Sequence, residues 1–476
     1  MQQIKNVAFG KADWLIALVL AVVSAIVYGL SMASFAYPGE SAHLMVVWQG
    51  LDAAVSTPYP LMAQIARFLG CGNAIAPICG VISVVAVYLL ISFFVRMRTY
   101  GEASQAHATS AGRLAGLVAA VVFMLTPSVR AAATHLEPRL FDFTWAMLCA
   151  LLPIAWLRIT RWQWLLDYLF PIVIGMAWGV GCVDSALFVV LSPLMLAALV
   201  IVSQKKGRSV VTLVSFFAIV AVVIFLLFAS DNGTIFGTLR TLMQQLRGYV
   251  KTDGWLAVVL LATVPFVVSI FASAKSFNEK GDWMQWAFNL GLGVVSIVAI
   301  ATPLSPSTRM EPYGILPVTS SAFVAAVAGY LAAYWWLQAR VKPIVNESKD
   351  MVADGRGRIF AYIGGGLLAV VYLFTCAFNL FSFDAMRGSF ADRLAEKVVD
   401  DLGDRKWLVS DGAIDDHLRL VASRRNIELN LISLNRDLDR SYLSSLAELV
   451  REKGLAGDRN AELSLSLSLG VLPFVQ

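Results

Sequence analysis

The sequence predicts an α-helical polytopic membrane protein of about eleven transmembrane helices, followed by a small C-terminal extracytoplasmic α/β segment. Of 476 residues, 58% are hydrophobic and only 14% are charged, whereas soluble chains carry roughly 25% charged residues. The 37 basic and 32 acidic residues, net +5, fall in short clusters between apolar runs, most of them long enough to cross about 30 Å of hydrocarbon. From Phe383 onward the pattern changes to short strand-like and helix-like stretches. These features exclude a soluble globule. They also argue against a nucleic-acid partner, because no basic stripe interleaves with exposed aromatics. The cysteines Cys71, Cys79, Cys149, Cys182 and Cys376 show no CxxC and no His/Cys ligand spacing, so neither a disulfide framework nor zinc is expected.

Taken in order, the apolar runs place spans at Trp14–Phe35, Ala74–Val95, Leu114–Ser128, Phe143–Leu157, Leu165–Val183 and Leu187–Val202. The series continues with Val210–Ser230, Trp255–Ala274, Trp283–Thr302, Tyr313–Leu337 and Ile359–Phe381. The third and fourth are short and should extend into the loop between them. Loops on one side hold 17 Lys and Arg, Arg96 and Arg113 among them, against 7 on the other, with 13 more after Phe383. The positive-inside rule then puts the N-terminus in the cytoplasm and the C-terminal segment outside, as in a multi-pass protein of a bacterial inner (plasma) membrane. The first run admits a second reading as a secretory signal, with Ala33 and Ala36 near a cleavage point.

The outer loops carry the unusual residues. In the first, at about 37–73, Tyr37-Pro38-Gly39-Glu40-Ser41-Ala42-His43 is followed by Thr57-Pro58-Tyr59-Pro60 and by a stretch with Leu61, Ile65, Phe68 and Leu69 on one helical face. That last piece is expected to lie in the interface plane. If a helix starts near Pro38, Glu40 and His43 share a face. Glu40 is a lone carboxylate just beyond a span, where partial desolvation suits it to general-base work. It equally suits a helix N-terminus, and His43 reads either as a catalytic partner or as an interfacial histidine. The loop after the third span packs Arg130, His135, Glu137, Arg139 and Asp142 into thirteen residues. Such a density near lipid points to an aqueous cavity in which an arginine binds an anion, or to a solvated loop with Asp142 capping the fourth span. Pro138 should hold Glu137 out of helix, letting His135 and Glu137 point to one side. In the proline-stiffened loop at 302–313, Arg309 either meets a phosphate or pairs with Glu311. Asp184 reads as a helix-turn residue.

Beyond the spans, Lys406–Gly412 and Ile427–Leu434 read as strands, and Asp415–Arg425 and Ser441–Lys453 as helices. This alternation suggests a parallel sheet. Asp411-Gly412 fits either a ligand site at a strand end or a tight turn. Two domains are therefore expected, 1–382 in the membrane and 383–476 outside. The apolar close Gly470–Gln476 is expected to be a truncated end or to pack on a partner.

Pro38-Gly39-Glu40-Ser41 followed by Thr57-Pro58-Tyr59-Pro60-Leu61 resembles the GT-C membrane glycosyltransferases. The likeness is to the protein O-mannosyltransferase-like group, whose first outer loop joins an acidic Gly-Glu element to a His-Pro-Pro-Gly-Tyr-Pro-Leu type run. The second stretch here lacks the His and Gly, and Pro38 stands where many relatives carry Asp. The resemblance implies inverting transfer of a sugar from a polyprenyl-phosphate donor to a hydroxyl of a protein, lipid or glycan acceptor on the outer face. In that scheme Glu40, with His43, supplies the catalytic base, and Arg130, Arg139 or Arg309 binds the donor phosphate. His135 and Glu137 position the acceptor or hold a divalent cation, the single cofactor candidate. The rival expectations are a transporter or flippase of lipid-linked saccharides and a non-catalytic membrane scaffold.

Overall fold

A computed structural model of the chain describes residues 9–33, 35–52, 59–69, 74–99, 104–158, 163–184, 317–340, 389–436 and 440–452, together with isolated positions between 188 and 297 and between 363 and 378. The described residues are mostly helical, and the chain divides into two compact units.

The first unit comprises 1–30, 76–133 and 138–383. Its described helices are α1 (Lys11–Leu30), α4 (Ile75–Thr99), α5 (Gln105–Leu125), α6 (Pro127–Thr134), α7 (Pro138–Arg158), α8 (Gln163–Asp184) and α9 (Pro317–Arg340); α2 and α3 belong to the second unit. Four of them, α1, α4, α5 and α7, are long and apolar enough to cross a membrane, and the protein is an α-helical membrane protein. Helix α1 illustrates the pattern. It buries Asp13, Ala17, Leu20, Ser24 and Tyr28 at helical spacing while exposing Trp14, Leu15, Leu18, Val19, Val22 and Ile26, the apolar outer face that a helix presents to lipid.

One end of the unit is tied by charge. The Asp13 carboxylate is fully buried and accepts from Arg96 of α4 at 2.5 and 3.2 Å, from Arg113 of α5 at 2.8 Å, from the Tyr88 hydroxyl at 3.4 Å and from the Gly10 amide at 2.7 Å. Arg96 also lies 5.2 Å from the centre of the Phe9 ring. Sequence reasoning counted Arg96 and Arg113 as loop cations. Arg96 instead lies inside α4, 2% exposed, and Arg113 inside α5, because a buried carboxylate on α1 rewards drawing them in.

Small residues let the helices close on this anchor. A Cβ on Gly116 would stand 2.7 Å from the Tyr88 carbonyl oxygen, and one on Gly80 would stand 2.8 Å from the Tyr28 ring. Gly329 of α9 likewise meets the Ala115 backbone. Close approach through Gly and Ala is how helices associate where no hydrophobic force separates protein from lipid. It also explains why α5 begins at Gln105 and not near Leu114: Ala108, Ala111, Gly112 and Ala115 are buried contact residues, although their run is weakly apolar. Helix α1 stops at Leu30, short of the expected Phe35. Gly29 and Ser31 are weak helix formers, and the Ala33 amide bonds to the Thr134 carbonyl at 2.8 Å. Pro127 and Pro138 open α6 and α7 at the first helical position, where a missing amide costs nothing. Asp142 therefore sits inside α7, buried, and not at its cap. The sixth to ninth expected spans lie outside the described residues except at isolated positions, and the eleventh is helical where described, between Ile363 and Phe378.

The second unit comprises 31–75, 134–137 and 384–476. Two short helices, α2 (Glu40–Trp48) and α3 (Pro60–Leu69), come from the first loop. The rest runs α10 (Ser389–Leu402), β1 (Trp407–Ser410), α11 (Asp415–Arg424), β2 (Asn430–Ser433) and α12 (Arg440–Glu452). The strands pair in parallel, Trp407 with Asn430 through Ser410 with Ser433. Neighbouring residues of β2 point to opposite faces. Leu431 packs with Ala395 and Val399 of α10 and Leu418 and Val421 of α11, and Ile432 with Tyr442, Leu446 and Val450 of α12. Both faces of the small sheet are thus covered, as a parallel pair requires. Helix α11 also packs on α2, with Leu420 against Ala36, Ala42 and Val46.

Replacing Asp13 by Asn removes the counter-charge of a buried guanidinium, which typically costs about 3–5 kcal/mol. Arg113→Gln should cost less, since its side chain is 34% exposed. Apparent melting temperatures of the three proteins in one detergent give the ranking.

Candidate functional site

The residues singled out in the first loop converge within the second unit. After Tyr37 and Pro38 the chain turns at Gly39, with φ +90° and ψ −135°, a region that side chains other than glycine avoid. The turn is closed by the Ala42 amide on the Tyr37 carbonyl at 3.1 Å and the His43 amide on the Gly39 carbonyl at 3.2 Å. Glu40 becomes the first residue of α2, half-buried where a negative charge is favoured.

Tyr59 comes nineteen residues later, and its hydroxyl donates to Glu40 Oε1 at 2.9 Å. Its backbone is left-handed, φ +51°, a costly conformation for a residue with a Cβ, held directly before Pro60. A hydrogen bond thereby links Glu40 of the first motif stretch to Tyr59 of the second. Pro60 opens α3, whose Phe68 is 89% exposed.

His135 and Glu137 join the same unit. The Tyr37 ring stacks on His135 with centroids 4.2 Å apart and planes 15° from parallel. His135 Nε2 lies 3.7 Å from Glu137 Oε2, with the two side chains 12% and 16% exposed. The stretch is not helical, and Leu136 between them is buried, so alternation of an extended strand puts the pair on one side. Among the described residues no group of three or more His, Cys, Asp or Glu side chains is placed to hold a metal ion; His135 and Glu137 alone offer two ligands.

His43 faces Asp416 of α11, Nδ1 to Oδ2 3.4 Å. The Asp416 carboxylate raises the His43 pKa against the opposing effect of burial; Asp52 adds to the rise and Arg436 opposes it. Asp52, which no sequence motif singles out, meets two guanidinium groups. Its Oδ2 is paired with Arg419 and lies 2.7 Å from Arg436 Nη1, with the carboxylate side chain 5% exposed. Only the alternation of short polar and apolar stretches marks it in the sequence.

The donor-phosphate candidates are not part of the second unit's described residues. Arg130 is buried in α6 and Arg139 is the second residue of α7, both in the first unit, while Arg309 is outside the described residues. Asp184 ends α8. Asp411-Gly412 forms a tight turn: Asp411 Oδ1 accepts from the Ala413 amide at 3.0 Å, Ser410 Oγ accepts from the Gly412 amide at 3.1 Å, and Gly412 has φ +96°. Cys79, Cys149 and Cys182 are buried and in no disulfide.

Set against known proteins, the chain matches no family model, and no curated protein matches it.

A histidine whose pKa is raised on folding stabilises fully below its unfolded value near 6.5 and loses that contribution as pH rises through the folded value. With His43 and Asp416 partly exposed, the effect is well under about 1 kcal/mol. From pH 6 to 8 His43 should therefore take a little stability from the second unit, while His417, whose burial lowers its pKa, works in the opposite direction. In a pH series of thermal unfolding the wild type should lose stability over this range relative to His43→Gln.

Proposed function

We propose that the protein is an inverting membrane glycosyltransferase of the GT-C type, with about eleven spans, acting at the outer face of a bacterial plasma membrane. The donor is a polyprenyl-phosphate sugar and the acceptor a hydroxyl of a protein, lipid or glycan. Glu40 takes the acceptor proton as the acceptor oxygen bonds to the anomeric carbon and the bond from that carbon to the phosphate oxygen breaks. The polyprenyl phosphate that leaves needs a cation, for which Arg130, Arg139 and Arg309 are the candidates. His135 and Glu137 are assigned to orienting the acceptor or holding a divalent cation. The N-terminus is then cytoplasmic and the α/β segment extracytoplasmic.

The observation that carries this reading is the hydrogen bond from Tyr59 to Glu40. It supports the reading because it links Glu40 to Tyr59, one residue from each of the two sequence stretches that resemble the family's first-loop motif. A transporter or flippase draws on the buried Asp13, Arg96 and Arg113. Asp13 and Arg96 lie near the ends of α1 and α4, however, and Arg113 of α5 meets Asp13 there, whereas such a pathway calls for charge near the bilayer centre.

A general base is worth about 10² to 10⁴ in rate. In membranes with equal folded amounts, Glu40→Gln should lose transfer of radiolabelled mannose or glucose from synthetic polyprenyl-phosphate donors by that factor. Equal transfer by both proteins would remove Glu40 from the mechanism, and donor flipping into vesicles without transfer would favour the transporter. Tyr59→Phe loses one hydrogen bond to a charged acceptor, and kcat should fall roughly tenfold at an unchanged KM.

A further inference from the structure

We infer that Asp52, Arg419 and Arg436 are positioning residues: through them the C-terminal α/β segment clamps the first-loop helix α2 and so fixes Glu40. The clamp stands on geometry alone, and its catalytic meaning rests on the reading of Glu40 as the base.

Helix α2 has nine residues and no side-chain cap at Gly39. A helix of that length is marginal without tertiary support. Its support comes from α11, and from Arg436 just after β2, in three kinds of contact. Leu420 enters the apolar patch of Ala36, Ala42 and Val46; His43 faces Asp416; and Asp52 meets Arg419 and Arg436. The apolar contact is non-directional and tolerates sliding. The ionic one is directional, because one carboxylate oxygen serves two guanidinium groups that come from different elements.

Both ends of the ionic contact are stiff. Arg419 precedes Leu420 on α11. Arg436 lies 4.4 Å from the centre of the Tyr442 ring, and the Tyr442 hydroxyl accepts from the Ser433 amide at 2.7 Å and donates to the Leu431 carbonyl at 3.3 Å. The guanidinium is therefore referred to the end of β2. On the other side Asp52 follows a closed helix terminus. Gln49, Gly50 and Leu51 amides return to the Met45, Val47 and Val46 carbonyls at 3.0 Å, and Gly50 takes φ +71°. This left-handed glycine ending transmits any hold on Asp52 to the last turn of α2. Glu40 lies at the other end of the same helix.

The test is hydrogen–deuterium exchange of the full chain in nanodiscs, read on peptides covering 40–48 and 415–452, with transfer kinetics alongside. In Arg419→Gln/Arg436→Gln, exchange of 40–48 should rise at least tenfold, kcat should fall at least tenfold and KM for the donor should hold. Arg419→Lys/Arg436→Lys should restore most of both. Asp52→Asn leaves the α/β sequence untouched, so faster exchange at 40–48 with unchanged exchange at 415–452 separates release of the clamp from unfolding of the segment. Unchanged exchange at 40–48 in Asp52→Asn and the double Gln variant overturns the clamp. Faster exchange with unchanged kcat overturns the positioning of Glu40. If the wild type transfers no sugar from any donor, the glycosyltransferase reading and the positioning of a base fall together, and the exchange data still decide whether the segment holds α2.

Discussion

The buried carboxylate of Asp13 is the constraint around which the first unit is organised. A charge removed from water is tolerated only with partners of opposite sign and satisfied oxygens. Asp13 on α1 obtains both from Arg96 on α4 and Arg113 on α5, and three helices must therefore meet at one end. The helix faces follow from that meeting. Where α4 and α5 approach, the contact residues are Gly112, Gly116, Ser92 and Tyr88, since anything larger than Gly at 112 or 116 would hold the guanidinium groups away from the carboxylate. The apolar residues of α1 that do not face this contact are left on the outside, where lipid accepts them.

How much of this was legible follows from which interactions are local. A run of apolar residues is local, and the helices that carry it were placed to within a few residues at most ends. The same holds for the α/β segment, where β1, α11, β2 and α12 fall on the stretches that alternation marks. Pro38-Gly39 likewise announces a chain turn with a helix starting at Glu40, and Pro138 keeps Glu137 extended. Partnering over long separations was not legible. Counting Arg96 and Arg113 as loop cations treats charge as a property of loops, whereas a single Asp early in α1 reassigns both to helix interiors. Helix α10 escaped notice because its buried side is built of Ala391, Ala395 and Val399 with Ser389 and Asp392, too weakly apolar to stand out next to the spans. Asp142 was read as a cap because its position was measured from the apolar run, while the helix itself is opened by Pro138.

The first-loop residues show the same division. Glu40 could be picked out as a lone carboxylate beyond a span, and Tyr59 as part of a Pro-Tyr-Pro run, but nothing in the one predicts its bond to the other. That bond is made across nineteen residues of chain and requires a left-handed Tyr59 and a Gly39 at positive φ. A left-handed Tyr59 at one end of that hydrogen bond is the kind of local cost that persists where the surrounding structure over-determines a site, while Gly39 takes its positive φ without cost. Asp52 is the harder case. It has no motif, and its importance comes entirely from Arg419 and Arg436, more than 360 residues further along the chain.

As the proposed base, Glu40 on its short loop helix would face two opposed demands. It would have to be reachable by an acceptor, and to be held within a fraction of an ångström of its working place, which a nine-residue helix does not achieve alone. Burying α2 entirely would meet the second demand and defeat the first. The second unit reconciles them by gripping α2 at the opposite end. Leu420 and the Asp52 pairs load the face and C-terminus of the helix, while Glu40 stays half-buried at its N-terminus with Tyr59 as its partner. Rigidity is then supplied from a distance, by residues that never approach the reacting atoms. The chain elements doing so lie at its far end, and so the order of the sequence conceals what the order of contacts makes plain.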